Sequence, residues 1–167
     1  MVDAPASDDV ATGFRQAMRR VASTVSIITA VDGDRKHGMT VTALTSVSME
    51  PPSLIVCINR STRLHEIMMR ADTFCANVLN SGQEEHSRAF SGAVPHDLRF
   101  DVGTWATDEP GHIYLADAQA NLFCRRVSFM SHGTHTVFVG AVERARVQDP
   151  VAPLIYLDAA YRIASGA

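Results

Sequence analysis

Alternating apolar and polar residues run through HGMTVTALTSVSM, from His37 to Met49, and a double proline follows. Apolar side chains from Met39 to Ala43 face one side of a strand and threonines face the other. The alternation slips at Leu44-Thr45, which predicts a bulge or a bend. Pro51-Pro52 then ends the pairing, because proline lacks the N–H that a sheet requires. The stretch is typical of an antiparallel strand that bends.

Further strands follow at short intervals. The segment STVSIITAVDGDRKHG predicts a hairpin around Asp32-Gly33-Asp34, since glycine tolerates positive φ. SLIVCI and TFCANVL predict fully buried strands, and two long strands, ANLFCRRVSFM and THTVFVGAVERARV, meet at Ser131-His132-Gly133. PLIYL predicts a last strand before Tyr161. Six or seven strands, mostly linked by hairpins, indicate a mainly β fold with short α helices and a closed or nearly closed antiparallel barrel.

Three short helices are expected beside the strands. Apolar residues at i, i+3, i+4 and i+7 predict an amphipathic helix over Gly13–Ala22. Ser61 or Thr62 is the natural N-cap of a second helix. A third helix begins at the capping box Ser81–Glu84 and runs through Phe90. The segment from Ser91 to Gly111 is predicted to be a long loop, and loops of that length are usually functional or mobile.

The 167 residues, 46% of them hydrophobic, fit one globular domain, which we assign to 13–167 after a flexible tail over 1–12. The acidic start does not resemble a signal peptide, and no apolar run reaches the ~18 residues of a membrane helix. The net charge of −3 argues against nucleic acid or anionic membrane as partners. Cys57, Cys75 and Cys124 show no metal spacing, so buried free thiols in a cytoplasmic protein are expected.

The sequence lacks the GxGxxG turn, the P-loop, the GxSxG elbow, HExxH and an obvious carboxylate pair. Two interpretations of the hydroxyl-rich strand remain. Its hydroxyls line a solvated sheet face, or small side chains beside a bent backbone let main-chain groups approach a planar polar ring such as a flavin. In the second case the helix start at Ser61-Thr62 favours a phosphate.

Several motifs in order resemble the small flavin reductases that supply reduced flavin to two-component flavin-dependent monooxygenases, such as the 4-hydroxyphenylacetate hydroxylase reductase. They are FRQAM, GMTVTALTSVSMEPPSLIVCIN, FCANVLN, FSG, RFDVGTW, HGTH and IYLDAAYR, and they extend from Phe14 to Arg162. The resemblance implies a split β-barrel of Greek-key type, usually a homodimer. It also implies NAD(P)H:flavin oxidoreductase activity on FMN or FAD, with NADH or NADPH as the hydride donor.

The resemblance also implies site residues. Those expected to bind the flavin are Met39, Thr40, Val41, Thr42, Ala43, Thr45, Ser46, Ile58, Asn59, Ser61, Thr62, Phe90, Ser91, Gly92, Arg99 and Phe100. His135 is expected beside the nicotinamide as the catalytic residue, with Tyr161 and Arg162 bordering the nucleotide. Each has an alternative: His135 as an ordinary hairpin residue or a metal pair with His132, Arg99 as a loop charge, both phenylalanines as core, and Tyr161 as a barrel plug. No metal is expected.

Two departures from the family pattern are His112, where relatives often have proline, and Asp158-Ala159-Ala160, where many carry basic residues. Both are expected near the nucleotide side. The choice between NADH and NADPH and the preference for FMN or FAD therefore stay open. The expected chemistry is hydride transfer from nicotinamide C4 to flavin N5, with reduced flavin passing to a partner oxygenase. Two alternatives are a flavin-dependent reductase of cobalt(II) corrins, for which the long loop would admit a large substrate, and a flavin-binding module without turnover.

Overall fold

Twelve strands and three short helices make up the part of the chain described by the computed structural model, residues 7–109 and 111–164. The helices are α1 (Ser7–Met18), α2 (Arg63–Met68) and α3 (Glu84–Arg88). The strands are β1 (Ser23–Thr24), β2 (Ser26–Asp32), β3 (Arg35–Val41), β4 (Leu44–Met49), β5 (Pro52–Asn59), β6 (Thr73–Val78), β7 (Trp105–Thr107), β8 (Ile113–Leu115), β9 (Ala120–His132), β10 (His135–Val147), β11 (Leu154–Leu157) and β12 (Ala160–Ile163).

Seven strands form the main antiparallel sheet, in the order β3-β2-β6-β9-β10-β5-β4. Its two edge strands, β3 and β4, are neighbours in the chain and are joined by Thr42-Ala43 alone. A flat sheet would hold these edges about 29 Å apart, at about 4.8 Å per strand, since six spacings separate them. Three Cα-to-Cα steps span only about 10 Å. The sheet must therefore curl into a barrel that stays split between β3 and β4, as predicted.

Two hydrophobic cores lie on opposite sides of this curled sheet. The inner core fills the barrel with residues such as Ile28, Val56 and Phe138, and α2 packs against it. The outer core contains Ile27 and Phe90 and lies under the small sheet β1-β11-β12 and the hairpin β7-β8. Consecutive residues such as Ile27 and Ile28 serve different cores because side chains alternate along a strand.

The predicted hairpins and the second helix are confirmed. Asp32 pairs with Arg35 across a turn in which Gly33 has a φ of +58°. β9 and β10 pair as predicted, although the two-residue turn is Gly133-Thr134. Thr62 caps α2 by accepting a hydrogen bond from the backbone N–H of His65. The three cysteines are free, as predicted, with Cys57 half-buried.

The first helix differs from its prediction. It begins at Ser7 and ends at Met18, so residues 7–12, predicted as tail, are helical, while residues 1–6 lie outside the described part. Acidic residues such as Asp9 near the start suit a helix N-terminus. The apolar face of this helix is exposed, with Phe14 at 66%. No helix in the described residues is both long and apolar enough to cross a lipid bilayer.

Three further predictions need correction. β5 alternates between buried and half-buried side chains rather than being fully buried, because only one of its faces meets the inner core. The capping box is wrong: Gln83 precedes α3, and its side chain instead accepts from the Asn80 N–H (3.0 Å) and donates to the Asp117 carbonyl (3.1 Å). The predicted long loop contains a π-helical turn (Ala89–Ala93), a 3₁₀ turn (Arg99–Asp101) and β7.

Candidate flavin-binding site

A cavity of about 220 Å³ opens where the barrel is split. We call it the mouth cavity, and its lining residues are Val25, Thr40, Val41, Thr42, Ser87, Ser91, Tyr156 and Tyr161. The Thr40 hydroxyl donates to the Ser87 carbonyl oxygen (2.7 Å), and the Ser87 and Tyr161 hydroxyls are 2.8 Å apart. These bonds join β3, α3 and β12 around one opening. Sequence reasoning identified Thr40, Ser91 and Tyr161 but missed Ser87, whose only signal is a small polar residue on the inner face of a helix.

The turn between β11 and β12 extends the mouth cavity into an open groove. Two neighbouring depressions share Tyr156 and Ala159, one towards Arg88 and the other towards Arg19 on the α1 side. The Arg88 guanidinium lies 5.1 Å from the centre of the Tyr161 ring. Arg162 is exposed, and within residues 7–109 and 111–164 its side chain donates only to the Tyr161 carbonyl (3.2 Å). Asp158-Ala159-Ala160 therefore borders this groove, and the predicted place of these residues on the nucleotide side stays a prediction.

Asn59, Ser61 and Thr62 form a compact polar corner at the end of β5. The Asn59 side-chain oxygen accepts from the Ser61 N–H (3.0 Å) and hydroxyl (2.9 Å), and the Thr62 hydroxyl donates to the Asn59 carbonyl (2.8 Å). Ile58 just before them is fully buried in the inner core. The corner is thus held by its own hydrogen bonds at the start of α2.

His135 lies at this polar corner rather than at the mouth cavity. It is the register partner of Asn59 across β5 and β10, and of His132 across β9 and β10. The side chain is exposed, and its Nδ1 lies 2.9 Å from the Thr134 hydroxyl. The described residues contain no group of three potential metal ligands around this pair. Tyr161 lines the mouth cavity and His135 does not; both were predicted on the nicotinamide side.

The predicted stretch from Thr40 to Ser46 serves two surfaces, because the chain crosses from β3 to β4 at Thr42-Ala43. Ala43 accepts a hydrogen bond from the Cys57 N–H (3.1 Å), which attaches the crossing to β5. Met39 packs on the inner core. Thr45 and Ser46 line a separate apolar groove of about 330 Å³ with Met49, Leu122 and Val142 among others, which we call the β4 groove.

The predicted residues after α3 mostly hold the wall of the site together. Phe90 is fully buried, with ring centroids 5.2 Å from Phe100 and 5.0 Å from Trp105, so its ring belongs to the outer core. Gly38 permits this, since a Cβ there would come within 2.6 Å of the Phe90 ring. Arg99 donates to the Gly38 carbonyl (3.4 Å), and burial lowers the pKa of its guanidinium. Gly92 supplies a φ of +122° in the π-helical turn.

His112 does not line the mouth cavity or the groove beside it; its predicted place near the nucleotide side stays a prediction. Its Nδ1 is 3.1 Å from a carboxylate oxygen of Asp108, and its ring packs edge-on against Phe123. Arg144 contacts the same Asp108 carboxylate and lies 3.6 Å from the Phe123 ring centre. The contacts are those of a structural residue that fastens the β7–β8 hairpin to β9 and β10.

The split barrel and the mouth cavity define the class of protein, a flavin reductase. Residues 18–165 match the flavin reductase like domain family, and the chain belongs to it. The predicted activity class, an NAD(P)H-dependent flavin oxidoreductase, is confirmed.

Named relatives support this class. The chain is 50% identical over 164 residues to the reductase component of the FADH₂-dependent resorcinol hydroxylase of Rhizobium sp. (strain MTP-10005), covering 97% of this chain and 92% of that one. It is 38% identical to an FMN reductase (NADH) of Methylorubrum extorquens, RutF 1, covering 91% of this chain and 76% of the relative. NADH:FAD oxidoreductase SgcE6 of Streptomyces globisporus C-1027, solved with NAD and FAD fragments, superposes with a TM-score of 0.85 at 26% identity, covering 95% of each chain.

Proposed function

We propose that this protein transfers a hydride from C4 of NADH or NADPH to N5 of FMN or FAD bound at the mouth of the split barrel. The observation that carries the proposal is the mouth cavity, where the backbone bend at Thr42 meets Ser87, Ser91 and Tyr161 in a member of the flavin reductase like domain family. The flavin supplies the redox chemistry, and the protein supplies binding and orientation. This agrees with a site without a paired carboxylate acid and base.

The isoalloxazine would lie along the end of β3. In the described residues β3 pairs with β2 alone, so it is an edge strand whose other backbone groups face the split. Such groups suit the polar edge of a flavin, while Val41 and Tyr156 offer apolar surface for its ring. The polar corner at Asn59, Ser61 and Thr62 would take the ribityl chain and the phosphate.

His135 would approach the nicotinamide from the end of β10. Its register with Asn59 puts it next to the residues proposed to hold the phosphate end of the flavin. An exposed imidazole there can orient a second nucleotide without a proton-transfer role, because hydride transfer between the two rings needs alignment more than acid–base chemistry.

The reduced flavin would leave for a partner oxygenase. The support is the similarity to a relative named as the reductase component of a hydroxylase. We also propose a homodimer, because apolar side chains such as Val127, Phe129 and Met130 of β9 are exposed together. Sedimentation of the purified protein would distinguish a monomer from a dimer.

The function is tested by the loss of nicotinamide absorbance when purified protein, NADH or NADPH and added FMN or FAD are mixed. A Thr42→Trp variant should abolish turnover by filling the mouth cavity, whereas Met49→Trp, which fills the β4 groove, is the matched control and should keep it. Bound flavin with no nicotinamide oxidation would replace the proposal with a flavin-binding module. Reduction of a cobalt(II) corrin in place of added flavin would favour the corrin reductase.

A further inference from the structure

A second and larger cavity, about 540 Å³ in volume, lies at the opposite end of β3 from the mouth cavity. We call it the basic pocket, and its lining residues are Asp34, Arg35, Lys36, His37, Arg63, Glu66, Ile67 and His96. They come from the β2–β3 turn, from the start of β3, from α2 and from the segment after the π-helical turn. None of them belongs to the predicted flavin-binding set.

The charges of the basic pocket favour an anion. Arg35 is neutralised by its ion pair with Asp32, which Arg70 also approaches at 3.8 Å. Lys36 lies 4.8 Å from the centre of the Phe100 ring and forms no ion pair with a carboxylate in the described part of the chain. Arg63 hydrogen-bonds the His96 ring, which leaves the rest of its guanidinium directed to the pocket.

The acidic groups around the pocket do not cancel these charges. Asp34 and Glu66 line its rim on exposed positions, and Asp97 approaches His96 at 4.0 Å. His37 is buried in the pocket wall close to further basic side chains. Its pKa is lowered to about 4 by burial first, and then by Arg99, His96 and Arg63. The guanidinium groups of Arg63 and Arg99 therefore add positive charge beside this wall of the pocket, which favours a bound anion.

The position of the basic pocket relates it to the flavin. Lys36 and Thr40 lie on the same strand, four residues and about 13 Å apart. Arg63 directly follows the polar corner that ends at Thr62. A ligand with its ring at Thr40 and its first phosphate at Thr62 would therefore reach the basic pocket with the part of the molecule beyond that phosphate.

We infer that the basic pocket binds the adenylate half of FAD, with Lys36 and Arg63 contacting the second phosphate and with His37 and His96 beside the adenosine. FMN ends at its single phosphate and would leave the pocket unfilled. The volume is within the roughly 300–1,000 Å³ of small-ligand sites. The two imidazole rings, 6.4 Å apart and tilted by 49°, form a wall of flat surfaces. The inference rests on the proposed flavin site and makes FAD the preferred flavin.

Binding of FAD and FMN to Lys36→Gln, Arg63→Gln and the double variant, in the absence of NADH, tests this assignment. The readout is the dissociation constant from quenching of flavin fluorescence. Loss of two charge-assisted contacts should weaken FAD binding by about tenfold or more while FMN binding changes less than about twofold. Arg125→Gln is the matched control. Arg125 is an exposed arginine that pairs with Glu143, and two strands of the sheet separate its strand, β9, from β3.

Competition adds an independent readout. AMP should displace FAD from the wild-type protein and should not displace FMN. Equal weakening of FAD and FMN, or no weakening of either, would overturn the inference. A raised KM for NADPH with unchanged FAD binding would overturn it too and would give the pocket to the hydride donor. Wild-type turnover with FMN reports on the proposed function separately, because it does not involve the basic pocket.

Discussion

The hydroxyl of Thr40 donates a 2.7 Å hydrogen bond to the backbone carbonyl oxygen of Ser87 and so ties the edge strand β3 to α3. Ser87 in turn contacts Tyr161 through its own hydroxyl. The wall of the mouth cavity is thus a chain of hydrogen bonds across three elements distant in sequence. The Thr40 hydroxyl hydrogen is used within the protein, which leaves its oxygen lone pairs and the neighbouring backbone for a ligand.

Thr40→Val should remove the side-chain hydrogen bond that ties β3 to α3 in the wall of the mouth cavity. The variant keeps the side-chain shape but leaves the Ser87 carbonyl without its donor, so the free energy of unfolding should fall by about 1 kcal/mol. Flavin binding should weaken as well. Urea unfolding and flavin titration measure the two effects. Thr107→Val is the control, since Thr107 is exposed on β7 and does not line the mouth cavity; an equal effect of both variants would contradict the prediction.

His135→Gln should lower kcat for flavin reduction by about tenfold or more through loss of orientation of the nicotinamide. The dissociation constant of the flavin should stay within about twofold, because the imidazole is not proposed to contact it. Stopped-flow reduction with NADH separates the two. His132→Gln is the matched control, because His132 is the register partner of His135 across the β9–β10 hairpin. If both glutamine variants reduce flavin at the wild-type rate, His135 is an ordinary hairpin residue.

Asn77→Ala should destabilise the fold by about 3 kcal/mol, since several buried groups lose their partners at once. The Asn77 amide donates to the Ile27 carbonyl (2.8 Å), and its oxygen accepts from the N–H of Leu115 (2.9 Å) and the Asn121 amide (2.9 Å). These bonds attach β8 to the main sheet beneath the outer core. Asn121→Ala removes fewer of them and should cost less. Chemical denaturation monitored by tryptophan fluorescence compares the two, and the reverse order would refute this role.

His37 should make the protein less stable in mild acid. Its pKa is about 4 in the folded protein and 6.5 in the unfolded chain, so the unfolded state binds more protons between these values. The contribution is therefore fully present above pH 6.5 and is lost as the pH falls towards 4. His37→Gln should flatten the decline of unfolding free energy in that window, measured without flavin. Parallel curves for the variant and the wild type would show that His37 does not titrate in this way.

Local sequence patterns were a good guide wherever the deciding residues are neighbours in the chain. The turn at Gly33 and the N-cap at Thr62 each depend on a few adjacent positions, and both were predicted. β12 was missed because its turn places Asp158 and Ala159 at positive φ, 52° and 58°, without a glycine to signal it. The predicted capping box at Ser81 is wrong because a tertiary contact decides this helix start. Gln83 precedes α3, and its side chain bonds the carbonyl of Asp117, which is distant in sequence.

The sequence by itself determined the period-two strands, their hairpins and the family, because side-chain alternation and turn chemistry act over a few residues. Only the tertiary structure decided which polar residues share a surface. The crossing at Thr42-Ala43 sends Thr40 to the mouth cavity and Ser46 to the β4 groove. Curling of the sheet brings β3, α3 and β12 together and sets Lys36 opposite Arg63. These contacts join distant parts of the chain, and they form only when burial of the two cores outweighs the entropy of closing the loops between them.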